Sequence, residues 1–154
     1  RPRLSERADA AVARVVETIV DGQGLAELFG VDSESIDALE AQAYSFYQHE
    51  RFEQAVVAAH GIIALDKERP ISYLILGDVA LAEYRFQEAV EHLTKAFELA
   101  PDEVEFQARL GEALIKSGQV DKARPHLEAV LEALGEEKSP TAQRVRAFVE
   151  HIRK

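Results

Sequence analysis

The stretch EYRFQEAVEHLTKAFELAPDE, residues 83–103, sets Phe86, Ala89, Leu93 and Ala96 at spacings of three and four and then meets Pro101. Such spacing predicts an amphipathic helix, and Pro101 ends it because proline lacks the amide hydrogen a helix needs. The same residue types return 34 positions on, as Val120, Ala123 and Leu127. They also stand 34 positions back, as Phe52, Ala55, Ala59 and Ile62. The stretch is therefore one helix of a repeat, and a shared function belongs on the surface that the copies have in common.

With Pro70 as the first position of a unit, Tyr73, Leu76, Gly77, Ala80, Phe86, Ala89, Leu93, Ala96 and Pro101 fall at positions 4, 7, 8, 11, 17, 20, 24, 27 and 32. This is the spacing of a tetratricopeptide repeat, a pair of antiparallel helices A and B. Three units follow without insertion, at 36–69, 70–103 and 104–137. Small residues let the helices of a pair approach: Ala43, Gly77 and Gly111 on helix A, and Ala55, Ala89 and Ala123 on helix B. Gly118 fits a left-handed cap at the end of the third A helix. Solenoids need their ends covered. Ser139-Pro140 reads as an N-cap followed by a proline in the first helical position, so 138–154 is a capping helix carrying Val145, Phe148, Val149 and Ile152. At the other end, 1–35 holds a helix over 5–20 with an apolar stripe of Ala11, Val12, Val15, Val16 and Ile19. Gly22 and Gly24 break that helix, and LAELFG forms one short turn before Asp32–Ser35 opens the first A helix. The fold class is all-α: a tetratricopeptide-repeat solenoid with an N-terminal helical module and a C-terminal capping helix.

Composition narrows the function. The 154 residues carry 18 Lys+Arg against 28 Asp+Glu, a formal net charge of -10. A surface so acidic repels phosphate backbones, which argues against nucleic acid as a partner. With no cysteine, neither a disulfide framework nor a thiolate metal site can form. No apolar run approaches the ~20 residues that span a bilayer, which argues against stable membrane insertion. No secretory signal is evident, and the chain opens on Arg1 rather than Met, as a trimmed N-terminus would. A cytoplasmic protein is the plain expectation.

The surface that the copies share is the inner face, lined by the A helices at positions 2, 5, 9, 12 and 13. These positions hold Asp37, Glu40, Tyr44, Tyr47 and Gln48, then Ile71, Leu74, Asp78, Leu81 and Ala82, then Glu105, Ala108, Glu112, Ile115 and Lys116. Tyr44, Tyr47, Ile71, Leu74, Leu81, Ala108 and Ile115 make the centre apolar and aromatic. Exposed apolar strips of this kind serve as binding surfaces, and tyrosine is a suitable anchor. The competing expectation is that a terminal helix folds over these residues and makes them core. A clamp for acidic C-terminal tails needs Lys, Arg and Asn in the groove. Here Glu40, Tyr44, Asp78 and Glu112 stand there, and the chain has no Asn, so a carboxylate tail meets like charge.

The runs GLAELFGVDSESIDALEAQAYSFYQHERFEQA, IIALDKERPISYLILGDVALAEYRFQEAV and FQARLGEALIKSGQVDKA resemble the class II chaperones of bacterial type III secretion. The resemblance covers about residues 9–152, and its most specific part is Gly22 to Tyr47, outside the generic repeat pattern. It implies a bacterial cytoplasmic chaperone that keeps secreted, hydrophobic translocator proteins soluble before export. It also implies a concave groove holding an extended Pro-x-Leu-x-x-Pro type segment, with Tyr44 and Tyr47 at the positions of the pocket aromatics. The N-terminal helix could pack on its own repeats or join two subunits as a homodimer.

Catalytic chemistry has no constellation in this chain. His92 and His126 stand 34 apart on successive B helices, but two ligands without a third make a weak metal site. Together with His49, His60 and His151 they read as surface imidazoles. No nucleophile elbow and no Gly-rich phosphate loop occurs. The expectation is a binding protein without cofactor or metal, and not an enzyme; a general repeat scaffold of another assembly is the alternative.

Overall fold

The computed structural model describes residues 10–14 and 25–154. Residues 10–14 are helical and exposed; the rest of the helix expected over 5–20, with Val15, Val16 and Ile19, lies outside the described residues. Among the described residues the elements are all helices. They fall into two compact units, one ending at Arg69 and one beginning at Pro70.

The first unit contains α1 (Leu25–Phe29), α2 (Ser33–Gln48) and α3 (Phe52–Leu65). The helix α2 starts where the sequence places it: Asp32 is the N-cap, and its side chain accepts a 2.7 Å hydrogen bond from the Ser35 amide. The core is small, with Ala26, Ile36, Ala43, Ala55, Ala59 and Ile62 buried. Arg69 ties the end of this unit back to its beginning. Its guanidinium donates to the Ser33 hydroxyl at 2.7 Å, the Ser33 carbonyl at 3.2 Å and Asp66 at 3.2 Å, and pairs with Asp37.

The second unit contains α4 (Pro70–Ala82), α5 (Phe86–Leu99), α6 (Val104–Lys116), α7 (Val120–Leu134) and α8 (Pro140–Arg153). Neighbours along the chain pack on one another, α6 also touches α4, and α8 also touches α6. Ser139 caps α8 through the Ala142 amide, as its sequence predicts, with Pro140 as the first helical residue. One core runs through this unit, including Leu93, Ala96, Phe106, Leu110, Leu127, Val130 and Val145. Pro125 sits in the second turn of α7, where it removes one amide donor while the helix continues to Leu134.

The A-to-B turns repeat atom for atom. The amides of Arg51, Arg85 and Gln119 each donate 2.8 Å bonds to the carbonyls of Phe46, Ala80 and Leu114, five residues back. The amides of Glu50, Tyr84 and Gly118 bond the carbonyls three residues back. This is the Schellman closure, which requires a left-handed residue just past the helix. Glu50, Tyr84 and Gly118 take φ of 58°, 61° and 82°. Only the third copy has glycine, the residue that adopts this conformation without strain.

Close approach within a pair rests on a different contact from the one expected. A Cβ on Gly77 would lie 2.5 Å from Leu93 Cγ, and one on Gly111 would lie 2.5 Å from Leu127 Cδ2. Each glycine therefore makes room for a buried leucine rather than for Ala89 or Ala123. The first repeat has alanine at both corresponding positions, Ala43 and Ala59, and both are fully buried.

Candidate peptide-binding surfaces

In the first unit the A helix presents an aromatic ladder. The Tyr44 and Tyr47 rings are tilted with centroids 5.9 Å apart, and Tyr47 stacks on Phe52 of α3 at 6.1 Å. The order follows from spacing: residues three apart on a helix share a face, and Phe52 opens the antiparallel partner. Tyr44 is 38% exposed and Tyr47 half-buried. One turn before Tyr44, Glu40 is half-buried, and Arg69 Nη1 lies 3.5 Å from its carboxylate. Burial raises the Glu40 pKa above its ordinary value, partly countered by Arg69. Asp37 and Gln48 are exposed.

In the second unit the predicted positions divide. Leu74, Leu81 and Ala108 are buried in the core, with Ile71 and Ile115 partly buried against it. The A helix α4 is apolar on all sides, with every residue from Leu74 to Leu81 buried. A helix apolar all round is a buried one, and PISYLILGDVALA carries a single charge. Ala82 at its end is exposed.

That single charge, Asp78, belongs to an array spanning α4, α6 and α8. Glu105 gathers the basic groups: Arg109 Nε and Arg144 Nη2 each lie 3.1 Å from it, and the Thr141 hydroxyl donates to it. The other carboxylates keep longer separations. Arg109 Nε is 3.7 Å from Asp78, while Glu112 Oε2 is 3.7 Å from Arg109 and 3.6 Å from Arg144. Lys116 reaches the other Glu112 oxygen at 3.2 Å. Desolvation drives the Asp78 pKa up to about 6; Arg109 lowers it and Glu112 raises it further. The inner-face carboxylates expected from the sequence are thus accompanied by guanidinium groups. Sequence reasoning missed Arg109 because it falls outside the five groove positions, and Arg144 because it lies beyond the repeats. The signal available was the placement of α8 as a fourth A-type helix.

Among the described residues no group of three or more His, Cys, Asp or Glu side chains is placed to hold a metal ion. His92 lies 3.8 Å from Glu88. His126 packs edge-on against Phe97 at 5.3 Å, and burial lowers its pKa. No helix among the described residues is long and apolar enough to cross a membrane.

Paired helices at a 34-residue period with repeating turns define a tetratricopeptide-repeat fold. Two Tetratricopeptide repeat family models match, over residues 40–104 and 80–147. Among known proteins, human tetratricopeptide repeat protein 34 is 32% identical over 77 residues, 50% of this chain. That match spans only 14% of the human protein's length. More of the chain is covered by two solved structures. A type III secretion complex from Aeromonas hydrophila aligns with a TM-score of 0.76 and 20% identity, over 92% of this chain and 95% of that one. The Yersinia enterocolitica type III secretion chaperone SycD, solved with a peptide of the translocator YopD, aligns with a TM-score of 0.71 and 21% identity. That alignment covers 80% of this chain and 95% of SycD.

Proposed function

We propose that this protein is a peptide-binding chaperone of the class II type III secretion kind, holding an extended segment of a secreted translocator before export from the bacterial cytoplasm. The observation that carries the reading is the Tyr44–Tyr47–Phe52 ladder, with Tyr44 open to solvent, on a fold shared with a chaperone solved with a translocator peptide. Large, rigid rings with one polar tip suit a segment that inserts apolar side chains and leaves much of its backbone hydrated. Glu40 completes the proposed set of the first unit; in the second unit Ile71, Asp78, Glu112 and Ile115 are the proposed contacts, while Leu74, Leu81 and Ala108, expected on the same face, lie in that unit's core. The repeats set 36–69, 70–103 and 104–137, with flanking modules 1–35 and 138–154, is the domain division that goes with this reading. A homodimer through the N-terminal helix accompanies it.

The test is capture from the native bacterium on immobilised protein, with mass spectrometry of the eluate. Recovery of one or two hydrophobic secreted proteins, lost with Tyr44→Ala or Tyr47→Ala while circular dichroism stays native, supports the chaperone reading. Recovery of a cytoplasmic assembly insensitive to both changes replaces it with a general interaction scaffold.

A further inference from the structure

The outer face of α3 differs from that of the other B helices. Val57, Gly61 and Ala64 stand four and three residues apart on it, and all three are exposed, Val57 by 67%. At the equivalent positions α5 holds Glu91, Lys95 and Glu98, and α7 holds Pro125, Ala129 and Glu132. These six are exposed as well, so the positions face solvent in every repeat, and only the first repeat fills them without a charge. A hollow of about 460 Å³ opens at the Val57 end, lined by Phe46, Glu53, Gln54, Val57 and Ala58.

Gly61 sharpens the contrast. Glycine is unfavourable in the middle of a helix. Gly77 and Gly111 offset that by admitting Leu93 and Leu127, but a Cβ on Gly61 would meet nothing within 4 Å outside its own stretch of helix. The gap at Gly61 therefore serves no packing among the described residues. A helix laid across it from outside would approach closely, because the side chains at a contact set the distance between helix axes.

The chain itself carries a matching piece. Residues 10–14 are helical and exposed, Val12 by 63%, and the sequence continues their apolar stripe through Val15, Val16 and Ile19. Charge favours the same match. Residues 1–14 hold Arg1, Arg3, Arg7 and Arg14 against Glu6 and Asp9, whereas residues 25–69 hold nine carboxylates against three basic side chains. Opposite charges steer two surfaces together. Within one chain Val12 and Val57 both stay open to solvent, so a second copy is the source of the partner.

We infer that the outer face of α3 seats the N-terminal helix of a second copy, in a reciprocal exchange. A two-fold arrangement then makes two identical contacts from one pair of surfaces. The inference rests on the homodimer proposed above and supplies the surface that receives the helix.

The test is sedimentation velocity on the full chain from about 1 to about 100 µM, a range in which interfaces of modest size dissociate. Wild type should pass from monomer to dimer. Val12→Glu in the helix and Gly61→Glu in the seat should each weaken dimerisation by more than about tenfold, since each puts a charge into an apolar contact. Gly61→Glu also raises helix propensity, so loss of the dimer there is not loss of the fold. The decisive sample is an equal mixture of the two variants, one of them fluorescently labelled. Neither variant makes an intact contact with itself. In the mixture the intact helix of the Gly61→Glu chain meets the intact seat of the Val12→Glu chain, which should dimerise more tightly than either variant alone. A mixture no tighter than its components refutes the seat. A dimer lost with Val12→Glu and kept with Gly61→Glu refutes it too, while leaving a homodimer through the N-terminal helix standing. A wild type that is monomeric throughout overturns the seat and the homodimer together. Peptide capture at Tyr44 and Tyr47 is measured separately, so the chaperone reading does not fall with either.

Discussion

Replacing Gly77 by alanine tests the packing of the repeat most directly. On propensity alone the change favours the helix by about 1 kcal/mol. The structure opposes it: the new Cβ would lie 2.5 Å from Leu93 Cγ and 2.7 Å from Cδ2, against about 3.5–4 Å for relaxed carbon contacts. The obstructing atom is a branch point in a side chain with no exposed surface, so relief requires a shift of about 1 Å between helices or a strained rotamer. Overpacking of this kind costs about 1–3 kcal/mol and sometimes more, which leaves Gly77→Ala destabilised by roughly 1–2 kcal/mol after the propensity gain. Leu93→Ala alone removes a fully buried side chain and costs about 2–5 kcal/mol. The double variant reproduces the Ala43–Ala59 combination of the first repeat, in which the extra methyl occupies part of the space that the leucine vacates. Its destabilisation should therefore fall short of the sum of the two single changes by at least about 1 kcal/mol. Urea denaturation followed by far-ultraviolet circular dichroism on all four proteins gives the coupling. Additivity within about 0.5 kcal/mol would refute the account, because it would mean that the glycine does not make room for the leucine.

Other outcomes follow from single residues. Asp78 has a folded pKa of about 6 against an ordinary 3.8, so the folded state binds the proton more tightly than the unfolded one. Its ionisation then lowers stability progressively as pH rises from about 4 to 6, by about 3 kcal/mol for a shift near two units. Asp78→Asn, close in shape to the protonated form, should match wild type near pH 4 and exceed it at pH 7; parallel urea midpoints across that range would contradict this. Tyr84→Gly should raise stability by about 0.5–1 kcal/mol in thermal or urea unfolding, since it relieves a left-handed non-glycine residue. The gain is reduced by loss of the Tyr84–Phe86 ring contact at 6.0 Å.

Much of the fold is legible because the sequence repeats its own constraints. Phe86 to Pro101 predicts a helix and its end, and the shift of 34 predicts the others. Asp32 and Ser139 are caps whose hydrogen bonds are local, so three residues of sequence suffice to anticipate them. The turn at Gly118 is equally local. Its equivalents at Glu50 and Tyr84 are hidden, because neither residue type announces a positive φ, and only the 34-residue offset points to them. The site is less legible for a related reason. Periodicity says which residues share a face, but not which of them a neighbouring element covers. Leu74 and Leu81 carry the same pattern as a solvent-facing strip and are core all the same. The pairing of Arg144 with Glu105 joins α6 to α8, a contact between segments with different sequence rules. Arg69 likewise closes a long loop onto Ser33 and Asp37, and nothing local in DKERP selects those partners.

The two kinds of helix pair bear on how the chain avoids assembling wrongly. Repeat proteins are prone to mispairing during folding, since a helix from one repeat can dock on the partner of another. An A helix bearing Ala43 cannot seat a B helix bearing Leu93 without collision, and one bearing Gly77 would leave a void against Ala59. Gly77 and Gly111 are interchangeable in this respect, as are Leu93 and Leu127. The volumes thus act as a two-letter key that rejects exchange between the first repeat and the later two but not exchange within the later two. Mispaired intermediates in this chain should therefore join α4 to α7, and a Gly111→Ala/Leu127→Ala pair would give the third repeat the first repeat's key.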